Sequence, residues 1–304
     1  MLLRAGAATR TWYDRRQGGY CVCITTSAQL TGCFPASLWQ VAFLLDNAQI
    51  KVNSHNGGGI TPFHMVCSRG KLSTVRVLLK DPRVNVLNGG RQHVSPFFAA
   101  CSEGHASVVE VLAKDERIDV NNPDREGGSP FCAAARKGHA SVLSVLLRDP
   151  RVRPEGPNDK GFTPLFLAAY HGQVSAVRTL IGSPRVDPNL ALDNGYTAMA
   201  VACQEGHLRV VKLLASDPRV DVNVRTKNGA TPLYICCYKN RVDVARFLLS
   251  DPRVDPGAPA NNGATPFSIA CNVGAMACVQ LLAADDRVDV AQANKQVRRP
   301  SRLL

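Results

Sequence analysis

The strongest constraint on this chain is a step of 34 residues that runs without slipping from Ser27 to Val290. Thr61-Pro62, Ser95-Pro96, Ser129-Pro130, Thr163-Pro164, Thr197-Ala198, Thr231-Pro232 and Thr265-Pro266 stand one step apart. Leu78, Leu112, Leu146, Leu180, Leu214, Leu248 and Leu282 keep the same interval, as does the arginine of the Asp-Pro-Arg-Val segment from Arg83 to Arg287. Such a period means one supersecondary unit repeated and stacked, because a unit of this size cannot bury its own leucines. The 304 residues would suffice for two globular domains. The unbroken register predicts a single repeat domain over residues 27–292 instead.

Each unit reads as two short helices and a turn. Thr or Ser is placed to cap the first helix and Pro to occupy its first turn, where a missing N–H costs nothing. Gly70, Gly104, Gly138, Gly172, Gly206 and Gly274 stand where that helix needs a left-handed residue to end, and Asn240 takes the remaining copy. The second helix carries an apolar face, as in Val210, Val211, Leu213 and Leu214, and the proline of Asp-Pro-Arg ends it. Val-Asp-Val-Asn then leads into a turn closed by glycine at 59, 127, 161, 195, 229 and 263, with His93 the one departure.

Thr231-Pro232-Leu233, Gly206-His207, Val210-Val211 with Leu213-Leu214, and Val220-Asp221-Val222-Asn223 resemble the ankyrin repeat, over nearly nine-tenths of the chain. The usual ankyrin length is about 33; here Asp-Pro-Arg replaces the family's Gly-Ala and adds a residue. The resemblance implies an all-α solenoid, a stack of paired antiparallel helices with projecting turns. Seven well-formed repeats begin near 59, 93, 127, 161, 195, 229 and 263, and residues 27–60 form one degenerate N-terminal repeat. It also implies that His105, His139 and His207 bond backbone between repeats. Only His64 keeps the family's Thr-Pro-Leu-His histidine. Phe98, Cys132, Phe166, Ala200, Tyr234 and Ser268 hold the matching positions, which puts the family's Thr–His side-chain bond in question there.

The degenerate repeat reads as a cap, since a terminal unit has one neighbour and is commonly atypical. Pro35 breaks the end of its first helix, and Trp39 is placed to cover the open face. Residues 1–26 match no repeat and read as a basic, disordered tail; the Arg-rich start is only weakly like a mitochondrial presequence. Residues 293–304 form a second basic tail. The net charge of +12 is concentrated at these ends, +3 in residues 1–20 and +4 in residues 293–304, leaving +5 for the repeats. Solvated ends are the simplest reading, with contact to nucleic acid or an anionic surface as the alternative.

Eleven cysteines would suggest disulfides or metal until they are placed. Cys67, Cys101, Cys203, Cys237 and Cys271 share one repeat position with Ala135 and Ala169. A site that takes only Cys or Ala is a small, buried helix contact. Neighbouring helices about 8–10 Å apart hold these sulfurs beyond disulfide reach. The pattern predicts reduced thiols and an intracellular protein, cytoplasmic with a nuclear location as the alternative. No apolar run approaches the roughly 18 residues of a membrane span.

The chain has no phosphate loop, no His-Glu-x-x-His and no Gly-x-Ser-x-Gly. The expectation is a non-enzymatic, monomeric scaffold or adaptor that needs no cofactor or metal and binds an unidentified protein partner. The resemblance places the partner on a concave face built from the turn tips and the outer side of the first helices. On that face Arg136, Lys137, Phe162, Tyr170, His171, Tyr196, Tyr238 and Lys239 gather aromatics and cations on neighbouring repeats, interrupted by Gln204 and Glu205. Aromatics and Arg are enriched at binding hot spots.

Overall fold

The computed structural model of the chain describes residues 9–11, 23–25, 30–31, 45, 51–56, 59–87 and 94–290. Within them fourteen helices alternate in pairs. They are α1 Pro62–Ser68 and α2 Leu72–Leu79, α3 Pro96–Ser102 and α4 Ala106–Ala113, then α5 Pro130–Lys137 and α6 Ala140–Leu147. They continue with α7 Pro164–Tyr170 and α8 Val174–Ile181, α9 Ala198–Glu205 and α10 Leu208–Ala215, α11 Pro232–Tyr238 and α12 Val242–Ser250, and α13 Pro266–Asn272 and α14 Met276–Ala283.

Three short strands precede them. β1 Thr9–Thr11 pairs antiparallel with β2 Cys23–Thr25, and β2 with β3 Leu30–Thr31. Two of these strands fall in the span read as a tail, and β3 falls where the degenerate repeat's first helix belonged. Thr and Ile favour an extended chain, and Pro35 lies outside the described residues. Trp39, Cys33 and the basic residues of the tails other than Arg10 lie outside the described residues.

The chain divides into two compact units, residues 1–134 with 139–160, and residues 135–138 with 161–304. In the first, α1 packs on α3, α2 on α4 and α4 on α6. In the second, first helices α7, α9, α11 and α13 stack in sequence, and so do second helices α8, α10, α12 and α14. Val177 and Leu180 of α8, Val210, Val211 and Leu214 of α10, and Leu248 of α12 are fully buried between them.

The local signals act as the sequence suggests. Thr163 Oγ1 accepts from the Phe166 amide at 3.2 Å. Thr197 caps its helix in the same way at 3.3 Å with no proline behind it. The hydroxyl therefore satisfies the orphan amide, and proline only favours the backbone angle. Asn240, with φ of 54°, is the one non-glycine residue at positive φ among those described.

The Asp-Pro-Arg loops do more than end a helix. Arg253 Nε and Nη2 grip the Asp251 carboxylate at 3.0 and 2.6 Å, while Nη2 also donates to the Ala215 carbonyl at 2.6 Å. Ala215 ends α10 one repeat earlier, so the guanidinium caps an orphan carbonyl and places a cation at the negative end of that helix. Arg287 does the same to Leu249 O at 2.6 Å, and Arg151 and Arg219 reach Ala113 O and Ile181 O. Arg83 bonds Leu45 O at 2.6 Å, which ties the atypical first repeat into the same scheme.

A second ladder accompanies it. Asn223 Nδ2 donates to Arg253 O at 2.6 Å and its Oδ1 accepts from Asp255 N at 2.9 Å. Asn53, Asn121 and Asn189 repeat the pattern on the next loop.

The histidines behave as the resemblance implies. Nε2 of His105, His139 and His207 lies 2.9, 2.9 and 3.0 Å from Ser68 O, Ser102 O and Tyr170 O. Gln173 donates to Arg136 O and Arg241 to Gln204 O at the same place in other repeats.

The Cys/Ala position is buried at Cys67, Cys101, Ala135, Ala169, Cys203 and Cys237. Cys271 departs from the expectation and is exposed, because no described helix packs beyond α13.

Candidate partner-binding face

All eight residues singled out from the sequence belong to the second unit. Phe162 projects from a turn tip, and Phe166 and Tyr170 follow at four-residue spacing, which stacks them on one side of α7. The Phe162 and Phe166 rings lie 5.1 Å apart at 16°, and Phe166 and Tyr170 lie 6.5 Å apart at 14°. His171 closes the column edge-on to Tyr170, at 5.0 Å and 88°. Phe166 is buried, so it supports the column from behind while Tyr170 remains 43% exposed. An aromatic held this way has little rotamer freedom left to lose on binding.

Two repeats further on, α11 presents Tyr238, 49% exposed. The Lys239 ammonium sits 5.1 Å from the centre of its ring. Tyr196 is half-buried at the intervening tip, its amide held by Asn194 Oδ1 at 3.0 Å and its carbonyl by the Leu192 amide at 2.9 Å. Burial, and then the nearby Tyr238, push the hydroxyls of Tyr196 and Tyr234 above the usual tyrosine range. Tyr196, Tyr234 and Tyr238 are therefore one group.

The tips are linked along the stack. Lys227 N donates to Asn194 O and Asn261 N to Asn228 O, both at 2.9 Å. These backbone bonds fix the projecting turns relative to one another.

Arg136 and Lys137 are exposed at the end of α5. Burial, and then the neighbouring Arg136 and His207, hold His171 below the ordinary imidazole range. It is neutral at pH 7 and can both donate and accept. Glu205, between the two aromatic columns, has its Oε1 engaged by Gln204 Nε2 at 2.9 Å.

The structure thus links Phe162, Tyr170 and His171 in one column, sets Arg136 near His171, and sets Tyr196 and Lys239 near Tyr238, with differing exposure. Tyr170, Tyr238, Lys239, His171, Arg136 and Lys137 are exposed, whereas Phe162 and Tyr196 are half-buried and act partly as supports. Phe166 and Tyr234 were missed as members. Their spacing from Tyr170 and Tyr238 carried the signal, but in sequence they stood out only as replacements for a histidine.

Among the described residues no three His, Cys, Asp or Glu side chains converge to hold a metal ion. No described helix is long and apolar enough to cross a membrane.

Helix pairs stacked at a 34-residue step and joined by projecting turns define an all-α repeat solenoid of the protein-interaction class. The family model for ankyrin repeats matches residues 36–124, 116–191 and 184–260, and the chain belongs to that family. In fold the chain is similar to the crystal structure of the ankyrin repeat domain of Bcl-3, described as a unique member of the IkappaB protein family. The TM-score is 0.65 at 21% identity, covering 74% of this chain and 99% of that one. No curated protein matches the chain.

Proposed function

We propose that this protein is a non-enzymatic scaffold that holds a protein partner against the first-helix ends and turn tips of the second unit. The observation that carries this reading is the column Phe162–Phe166–Tyr170, continued across the stack by Tyr196 and Tyr238. Grouped exposed aromatics mark interaction sites where single ones do not, and rigid Tyr anchors rimmed by cations are the composition of binding hot spots. The polar ladders, the caps and the leucines are all accounted for by stacking. These side chains are not.

Tyr170→Ala and Tyr238→Ala, alone and together, test the proposal. Partner capture is measured by affinity purification with quantitative mass spectrometry beside the wild type, and folding by circular dichroism melts. The scaffold reading expects the double variant to lose specific partners while its melting curve stays within about 2 °C of wild type, as exposed substitutions usually allow. Loss of the fold, or an unchanged set of partners, would refute the assignment of this face.

A further inference from the structure

Five asparagines stand directly before glycine: Asn56, Asn88, Asn194, Asn228 and Asn262. In the last three pairs both residues are described, and they occupy the same place in successive turn tips ahead of α9, α11 and α13. The backbone turn is alike in all three. Gly195 N donates to Leu192 O at 2.8 Å, Gly229 N to Thr226 O at 2.7 Å and Gly263 N to Ala260 O at 2.8 Å. Each glycine is left-handed, with φ of 82°, 76° and 83°, and each asparagine is exposed.

The side chains differ. Asn194 Oδ1 accepts from Tyr196 N and Asn262 Oδ1 from Ala264 N, both at 3.0 Å. This is the local bond that asparagine makes to the amide two residues on in a turn. In the middle tip the matching amide, Ala230 N, donates to Thr226 Oγ1 at 3.1 Å instead. Leu192 and Ala260 hold the place of Thr226 in the other two tips and have no hydroxyl to offer. Thr226 therefore displaces Asn228, whose carboxamide has no hydrogen-bond partner among the described residues.

We infer that Asn228 is a site of spontaneous deamidation, the fastest of the three, and that its isoaspartyl product unhooks this tip from the next. Glycine has no side chain to hinder approach to its nitrogen. The Gly229 amide nitrogen gives its proton to water and attacks Asn228 Cγ. The new C–N bond closes a five-membered succinimide, and the carboxamide C–N bond breaks with loss of ammonia. Water then opens the ring to aspartate or isoaspartate. The net change is one water consumed, one ammonia released and one negative charge gained.

The attack needs a carboxamide free to turn toward the glycine nitrogen. Asn194 and Asn262 must first break a neutral hydrogen bond, which lowers their reactive population about 2- to 10-fold. Isoaspartate carries the main chain through the former side chain, one methylene longer, and turns the Asn228 carbonyl into a free carboxylate. That carbonyl accepts from Asn261 N at 2.9 Å, and the lengthened turn no longer presents it there.

The test holds the folded chain at neutral pH in heavy-oxygen water, digests it in ordinary water and follows each Asn-Gly peptide by mass spectrometry. Ring opening during the incubation installs a heavy oxygen, which separates it from deamidation during handling. Electron-transfer fragmentation tells isoaspartate from aspartate. Asn228 should convert about 2- to 10-fold faster than Asn194 and Asn262. Thr226→Val keeps the side-chain shape without the hydroxyl, returns Ala230 N to Asn228 and should slow that site to the rate of its neighbours. Leu192→Thr should free Asn194 and speed conversion there alone, a gain at one residue that loss of fold cannot imitate. In the aged wild type, hydrogen exchange should accelerate at the Asn261 amide and stay unchanged within α10.

Equal rates at the three sites in the wild type would overturn the inference, as would a Leu192→Thr chain that leaves Asn194 unchanged. If Asn228 converts first while Asn261 exchange stays as it was, the unhooking of the tip is refuted.

Discussion

Replacing Arg253 with alanine measures how much of the stack is held by side-chain ladders rather than by apolar burial. Arg253 makes two kinds of contact, a two-pronged grip on Asp251 and a bond from Nη2 to Ala215 O at 2.6 Å. The ion pair is at the surface, with 44% of the Arg253 side chain exposed. Pairs of that kind contribute about 0–1 kcal/mol. The bond to Ala215 O satisfies a helix-end carbonyl and adds a net 0.5–1.5 kcal/mol or so. Solvent screening keeps the total near the lower end, so Arg253→Ala should cost about 1 kcal/mol.

Because Asp251 mainly orients the guanidinium, Asp251→Ala should cost less, and the two together should cost less than their sum. Arg253→Lys should recover little, since an ammonium cannot span a carboxylate and a carbonyl in one plane. Equilibrium urea unfolding gives the magnitudes. Amide hydrogen exchange locates the loss, which should appear at the end of α10 and in the loop after α12. If Arg253→Ala is neutral, or if exchange accelerates evenly along the second unit, the loop arginine is a surface residue and the capping argument is wrong.

Other outcomes follow from the same structure. Leu180→Ala removes a fully buried side chain between stacked second helices and should cost about 2–5 kcal/mol in urea unfolding. Gly206→Ala places a Cβ at φ of 82° and 2.9 Å from Arg241 Cδ, and should cost at least about 1–2 kcal/mol. Asn240→Gly, at the matching position, should be tolerated.

The pH profile has two parts. His64 is buried and held below its ordinary value mainly by that burial, and its Nδ1 has no hydrogen-bond partner among the described residues. Its neutral form supports the fold above the unfolded value of about 6.5, and that support is lost as pH falls through the lower folded value. Urea midpoints at pH 7.5 and 5.5 should therefore differ for the wild type, and His64→Phe should reduce the difference. Asp81, Asp217, Asp251 and Asp285 are held below the usual carboxylate range by hydrogen bonds from Arg83, Arg219, Arg253 and Arg287. Their contribution is present above about pH 4 and disappears as pH falls below it; melts at pH 5 and 3 should show the loss, diminished in Arg→Ala variants.

The period, the helix pairs, their caps and the left-handed ends were all legible in the sequence. Each depends on residues within one turn of each other, and local chemistry at Thr163, Gly172 or Asn240 does not need the rest of the chain. The buried identity of Leu180 and Cys203 was legible for a related reason, since a position that accepts only one kind of side chain in every copy reports its surroundings. The tertiary structure decided what lies across a repeat boundary. Asp-Pro-Arg looked like a helix stop, and Asn223 like part of a turn, because their partners sit 30 to 38 residues away. Phe166 looked like a lost histidine, although its four-residue spacing from Tyr170 on one helix already set it behind that ring. The exposure of Cys271 was hidden, its letter matching buried copies while no described helix covers it. Sequence fixes what a residue does along its own helix, and contact between neighbouring repeats sets what it can do for the surface.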